Sequence, residues 1–246
     1  MAPPYVSLWK LDSGMVEIHI NGNENGNRFD REDLQALTQA FDKAKAPDVR
    51  GVLLTHGGEA FCLGGNLGDV RTHHSGTVQC FAAALKAALL AIYECPVPVA
   101  CAVEGNVAGG GVSLVEACDL AAVNQNTTFA IPEILHNMPP VVSFVGAGRV
   151  VPMKRLMQMA LMGEAMGARE ATRIGLATEA VEPGQTKEAC LTWLLRISQR
   201  NPAAIKTIRT MRRRMDGYGF QRQLDAAEEQ LVAVVMNEDT RKCWNG

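Results

Sequence analysis

The chain has 246 residues, 47% of them hydrophobic and 20% charged, enough to bury the core of one globular domain with or without an appendage. Its 24 basic and 26 acidic residues leave a formal charge of -2, so no overall field draws it to nucleic acid. No run of 18 consecutive apolar residues marks a membrane span. Seven cysteines, at 62, 80, 95, 101, 118, 190 and 243, form no C-x-x-C pair and sit mostly in apolar runs, so they read as reduced core residues. Met1 leads into Ala2-Pro3-Pro4-Tyr5 without a basic or long apolar segment, and a cytoplasmic location is the expectation.

In chain order, two strand-like runs, Tyr5 to Leu11 and Met15 to Ile20, flank Asp12-Ser13-Gly14 in a hairpin pattern. After a loop from Asn21 to Arg28, Asp30 caps a helix whose Leu34, Leu37, Ala40, Phe41 and Ala44 recur at helical spacing, and Pro47 stops it. A strand from Gly51 to Thr55 runs into the glycine pairs Gly57-Gly58 and Gly64-Gly65. An alanine-rich helix over about 78–93 then leads to an apolar strand, Val97 to Val103. A turn ending in Gly109-Gly110-Gly111 opens a helical segment to Cys118, and Asp119 to Val123 and Thr127 to Ala130 read as short strands.

Beyond Pro152 the pattern becomes helix after helix, over about 152–161, 168–174, 185–199, 202–215 and 219–236. An α/β core, 1–185, followed by a helical region, 186–246, fits this order. The tail stripe Leu224, Ala227, Leu231, Val234 and Val235 reads as a packing face for the core or another subunit. Arg212-Arg213-Arg214 reads as a solvated helix face.

The glycine triplet is the chemically informative feature. Glycine lets a substrate oxygen approach the backbone, and a helix starting there points unpaired N–H groups at it. Four motifs in order, Ala60-Phe61-Cys62-Leu63-Gly64-Gly65-Asn66-Leu67, Val103-Glu104-Gly105-Asn106-Val107-Ala108-Gly109-Gly110-Gly111, Ala117-Cys118-Asp119 and Pro132-Glu133, resemble the crotonase superfamily of enoyl-CoA hydratases and isomerases. Ala168-Arg169-Glu170-Ala171 and Gly175-Leu176-Ala177 extend the likeness along the chain. The resemblance implies a crotonase-like α/β fold, a spiral of ββα repeats, with a C-terminal helical region for oligomerisation as a trimer or hexamer.

It also implies an acyl-CoA thioester as substrate and no separate cofactor. The N–H groups of Gly65 and Gly110 would form an oxyanion hole, and such donors contribute roughly 2.7–4 kcal/mol each. Hydratases of the superfamily carry two glutamates; here Ser113 stands at the first position and Glu133 at the second. A hydroxyl is a poor general base, so the resemblance implies a single-glutamate acid/base site, for double-bond isomerisation or hydration/dehydration.

Other candidates take subordinate places. Ser113, His73, His136 and Asn137 are expected to line the substrate pocket, and the apolar stretch Met138 to Val145 to wall the acyl chain. Arg28 is the resemblance's match for a coenzyme A contact, with Arg222 and Lys242 as tail candidates. Glu116 could share a helix face with Ser113. An alternative is a dehydratase or decarboxylase of a polyketide-type thioester held on an acyl carrier protein, with His73 as acid; another is a non-catalytic thioester-binding member. No residue cluster has metal-ligand spacing, and no nucleotide-phosphate loop is present.

Overall fold

A computed structural model describes residues 5–22, 24–66, 68, 72–215 and 219–243. Met1 to Pro4, on which the location reading rests, and Leu67 of the first glycine motif lie outside these residues, as does the Cys243 side chain. The hairpin is formed by β1 (Val6–Lys10) and β2 (Met15–Ile20), antiparallel from Val6 opposite Ile20 to Lys10 opposite Val16. Helix α1 (Arg31–Lys43) starts at a reciprocal capping box. Asp30 accepts from the Asp33 N–H at 3.0 Å, and the Asp33 carboxylate accepts from the Asp30 N–H at 3.0 Å.

From β3 onward each unit contributes two strands to different sheets. β3 (Gly51–His56) is followed by β4 (Ala60–Cys62) and α2 (Ser75–Tyr93); β5 (Val99–Val103) by β6 (Asn106–Ala108) and α3 (Gly110–Ala117); β7 (Leu120–Asn124) by β8 (Thr128–Ala130). First strands join a six-stranded sheet in the order β1-β2-β3-β5-β7-β10, closed by β10 (Glu179–Val181). Second strands join a four-stranded sheet, β4-β6-β8-β9, with β9 (Met166–Gly167) antiparallel at its edge. The ββα spiral is thus present. Of its short second strands β8 is read from the sequence, whereas β4 and β6 escape a periodicity reading because three residues carry too little pattern; pairing defines them.

The large sheet shows why its strands read as continuous apolar runs: parallel strands are covered on both faces. Val52, Leu54, Val99 and Cys101 face the main core with α1 and α2, while Leu53, Ala100 and Ala102 face the other way. There α7 (Thr186–Ser198) covers them with Cys190 and Leu194. α2 is long and apolar enough to cross a bilayer, yet Val78, Ala82, Leu85, Leu89 and Ile92 are packed into this core.

The remaining helices, α4 (Val141–Ala147), α5 (Met153–Met162), α6 (Ala168–Arg173), α8 (Pro202–Met215), α9 (Gly219–Met236) and α10 (Glu238–Cys243), follow the predicted order with α4 and α10 added. α9 lies across α2 and α4 and buries Leu224, Ala227, Leu231, Val234 and Val235 in the main core. The arginine run is a solvated face only in part, since Arg214 is exposed while its two neighbours bond to the core. Arg212 pairs with Asp119 at 2.7 Å, and Arg213 donates to the Glu94 carbonyl at 3.2 Å. One turn earlier, buried Arg209 donates to the Cys95 carbonyl at 2.7 Å. Fixed bonds of this kind fasten the tail to the core.

Candidate active site

Three strand ends build the site. β4, β6 and β8 run parallel, with Cys62 opposite Val107 and Val107 opposite Phe129. The segments leaving their C-terminal ends therefore emerge side by side: Gly64-Gly65 after β4, Gly109-Gly110 after β6, and Glu133 after β8. The closeness is measurable, since a Cβ on Gly64 would lie 3.5 Å from the Gly110 nitrogen. Gly109 has φ +53° and donates to the Ala130 carbonyl at 3.0 Å, a left-handed bend that glycine adopts without strain.

The two predicted donors are oriented by backbone pairing. The Phe29 N–H donates to the Gly64 carbonyl at 3.0 Å, and the Asn66 N–H to the Phe29 carbonyl at 2.8 Å. Because successive residues of an extended chain alternate direction, the Gly65 N–H is turned away from Phe29. Gly110 opens α3, where an N–H has no intrahelical acceptor. Among the described residues neither N–H donates a hydrogen bond, and both glycines line one cavity of about 530 Å³ with Glu133. That volume suits a small-molecule ligand.

Glu133 sits in a 3-10 turn, Pro132–His136, with proline in its first position. The residue as a whole is half-buried, but Oε2 is buried without a partner, while Oε1 accepts the hydroxyl of Ser143. Burial pushes the carboxyl above its ordinary value; the Ser143 bond and the charge of Arg28 pull the other way. Among the described residues it is the sole carboxylate lining the cavity, whose apolar walls include Leu63, Phe81, Leu85, Met138, Val142 and Leu231.

The other candidates divide. Arg28 lines the cavity and donates to the Leu63 carbonyl at 2.7 Å; His136 lines it as well. Ser113 does not. It is fully buried one turn into α3, its hydroxyl donating to the Val142 carbonyl at 3.3 Å, because that face of α3 meets α4 rather than the cavity. His73 lies in a neighbouring groove with Asp30, Arg31 and Glu32, and Asn137 is a left-handed cap (φ 60°) outside the cavity lining. Glu116 is a structural anion, 3.4 Å from Arg149, which stacks on Tyr93. Of the tail candidates, Lys242 pairs with Glu238 at 3.3 Å, and neither it nor Arg222 lines the cavity. No group of three or more His, Cys, Asp or Glu able to hold a metal occurs among the described residues.

Several lining residues escaped the sequence reading, among them Phe81 and Leu85 of α2, Ser143 and Leu231. Ser143 is a lone hydroxyl in the apolar stretch Met138 to Val145, and that contrast was its one available signal. Leu231 reaches the cavity from α9 and carried none beyond its place in a helical stripe.

Residues 10–246 match the family model for enoyl-CoA hydratase/isomerase. A "Probable enoyl-CoA hydratase" of Rhodobacter capsulatus is 35% identical over 175 residues, spanning 70% of this chain and 67% of that protein. The (E)-benzylidenesuccinyl-CoA hydratase of Thauera aromatica is 28% identical over 208 residues, 80% of this chain and 78% of its own. The solved enoyl-CoA hydratase of Mycobacterium smegmatis superposes with a TM-score of 0.83 at 26% identity, covering 96% of this chain and 92% of that one. An enoyl-CoA hydratase/isomerase from Mycobacterium paratuberculosis, 19% identical, shares the fold with a TM-score of 0.88 over 98% of this chain and 97% of its own. Crotonase fold, paired glycine turns and family match coincide: the chain belongs to the enoyl-CoA hydratase/isomerase family of the crotonase superfamily.

Proposed function

We propose that the protein shifts the double bond of an enoyl-CoA thioester, with Glu133 as the acid/base and the N–H groups of Gly65 and Gly110 as the oxyanion hole. The observation that carries this reading is that Glu133 is the sole carboxylate lining the cavity among the described residues. Removing a proton alpha to the thioester puts negative charge on its oxygen, which the two N–H donors stabilise. Glu133 holds the abstracted proton and returns it to a different carbon, so one group serves both half-reactions. Hydration in the two-glutamate manner needs a second carboxylate to hold water. Ser113 is buried under α4 and Glu116 is engaged with arginines, so neither supplies one. Arg28 is assigned to the coenzyme A portion, where a guanidinium meets phosphate or carbonyl oxygens.

The test is incubation with a 3-enoyl-CoA ester and, separately, a 2-enoyl-CoA ester in deuterated water, followed by mass spectrometry and NMR. The expected result is migration of the double bond to the 2 position, deuterium at carbon and no added water. Addition of water to the 2-enoyl ester at a comparable rate would overturn the single-base reading in favour of hydration.

We also propose that copies of the chain associate as a trimer or a pair of trimers. Met153, Met157 and Leu161 recur along one exposed face of α5, with Leu135 and Met162 beside them; an apolar patch of this kind favours burial against protein. Light scattering is expected to give three or six times 26.5 kDa. A monomer at micromolar concentration would overturn this.

A further inference from the structure

We propose that Ser143 is the positioning residue for Glu133: its hydroxyl ties down Oε1 and so fixes the angle at which the carboxyl meets the substrate. The inference rests on the reading of Glu133 as the acid/base.

A carboxyl group at the end of a glutamate turns over a broad, shallow range about its last torsion. Proton transfer to carbon requires a fixed angle and distance, and a misplacement of about 1 Å costs on the order of a hundredfold in rate. Among the described residues the Glu133 carboxyl has one side-chain partner, the Ser143 hydroxyl, and its second oxygen is buried without any. A hydroxyl has a single hydrogen to give, so donation to Oε1 commits it and restrains the turn of the carboxyl.

Ser143 is itself held in place. It is 2% exposed and lies in the first turn of α4. The residue before it, Val142, takes the Ser113 hydroxyl on its carbonyl at 3.3 Å. Gly146 packs so closely on Ser113 that a Cβ there would lie 2.3 Å from the Ser113 oxygen. Ser113, at the position where two-glutamate relatives carry their first carboxylate, thus pins the α4 backbone that presents Ser143. The bond also favours the ionised carboxylate that burial disfavours, so it keeps the base available as well as aimed.

The experiment compares Ser143→Ala, Ser143→Thr and Ser143→Val with Glu133→Gln, using 3-hexenoyl-CoA. Rates are followed across pH, and the Glu133 carboxyl is titrated by carbon-13 NMR. Ser143→Ala is expected to lower kcat by about ten- to a hundredfold with KM within about twofold. The acidic limb of the profile and the Glu133 titration should both move to higher pH. Thr and Val have nearly the same shape, so Thr restoring what Val does not identifies the hydroxyl, even if Ala is poorly folded. A wild-type kcat with an unmoved titration in Ser143→Ala or Ser143→Val overturns the inference, as does a defect confined to KM. The outcomes are separable: Glu133→Gln retaining turnover sinks the acid/base reading, whereas an inactive Glu133→Gln beside a wild-type-like Ser143→Ala sinks only the positioning role.

Discussion

Glu133→Gln is expected to lower isomerisation of a 3-enoyl-CoA by roughly 10²- to 10⁴-fold, the usual scale for loss of a general acid/base. The dissociation constant for the thioester should change by less than about twofold, because the amide keeps the volume and the bond from Ser143. The same substitution should stabilise the fold at neutral pH. Burial raises the native-state carboxyl above its ordinary value of 4.5. The stability it contributes is therefore present in acid, below the unfolded-state value, and is lost as pH rises through the raised native value. Above both, the native protein holds a buried charge that the unfolded chain would solvate. Glutamine stays neutral throughout, so the variant should melt above the wild type at neutral pH, with the gap closing in acid. Thermal melts across pH alongside turnover check both halves. A wild type that is the more stable at neutral pH, or a gap that does not change with pH, would contradict the buried-charge account.

This coupling clarifies what the sequence could show. Glu133 and the glycine turns are legible as neighbours because the motifs that resemble the crotonase superfamily carry them, and a close backbone approach needs glycine. The consequences of three-dimensional pairing are not legible in the same way. Ser113 occupies the right count along α3, but three residues after Gly110 the helix has rotated its face from the cavity toward α4. His73, two residues before α2 begins at Ser75, falls in the groove beside Asp30 and Glu32 rather than in the cavity. Ser143 could not be paired with Glu133 from spacing, since ten residues and two different turns separate them. For the fold, long strands and helices follow from apolar periodicity, whereas β4 and β6, two of the three-residue strands that gather the site, are defined only by their register with their neighbours.

The dependence of the site on that register predicts a second large effect. Gly111→Ala is expected to lose both stability and catalysis, although alanine is the better helix former by about 0.8–1.0 kcal/mol. A Cβ at this position would lie 2.3 Å from the Cys62 carbonyl oxygen and 3.0 Å from the Cys62 Cβ. The oxygen belongs to the β4 backbone and cannot swing aside, so α3 must move off β4. Overpacking of this kind costs about 1–3 kcal/mol, which outweighs the gain in helix propensity. The movement also separates Gly110, on α3, from Gly65, just after β4, so the proposed oxyanion hole would open. A loss of about 10² in kcat follows for a displacement near 1 Å. Urea denaturation and turnover of 3-hexenoyl-CoA measure the two losses, with Gly167→Ala as the comparison, since nothing lies within 4 Å of a Cβ there. Wild-type stability and turnover in Gly111→Ala would mean that α3 and β4 are not held at the spacing on which the proposed oxyanion hole depends.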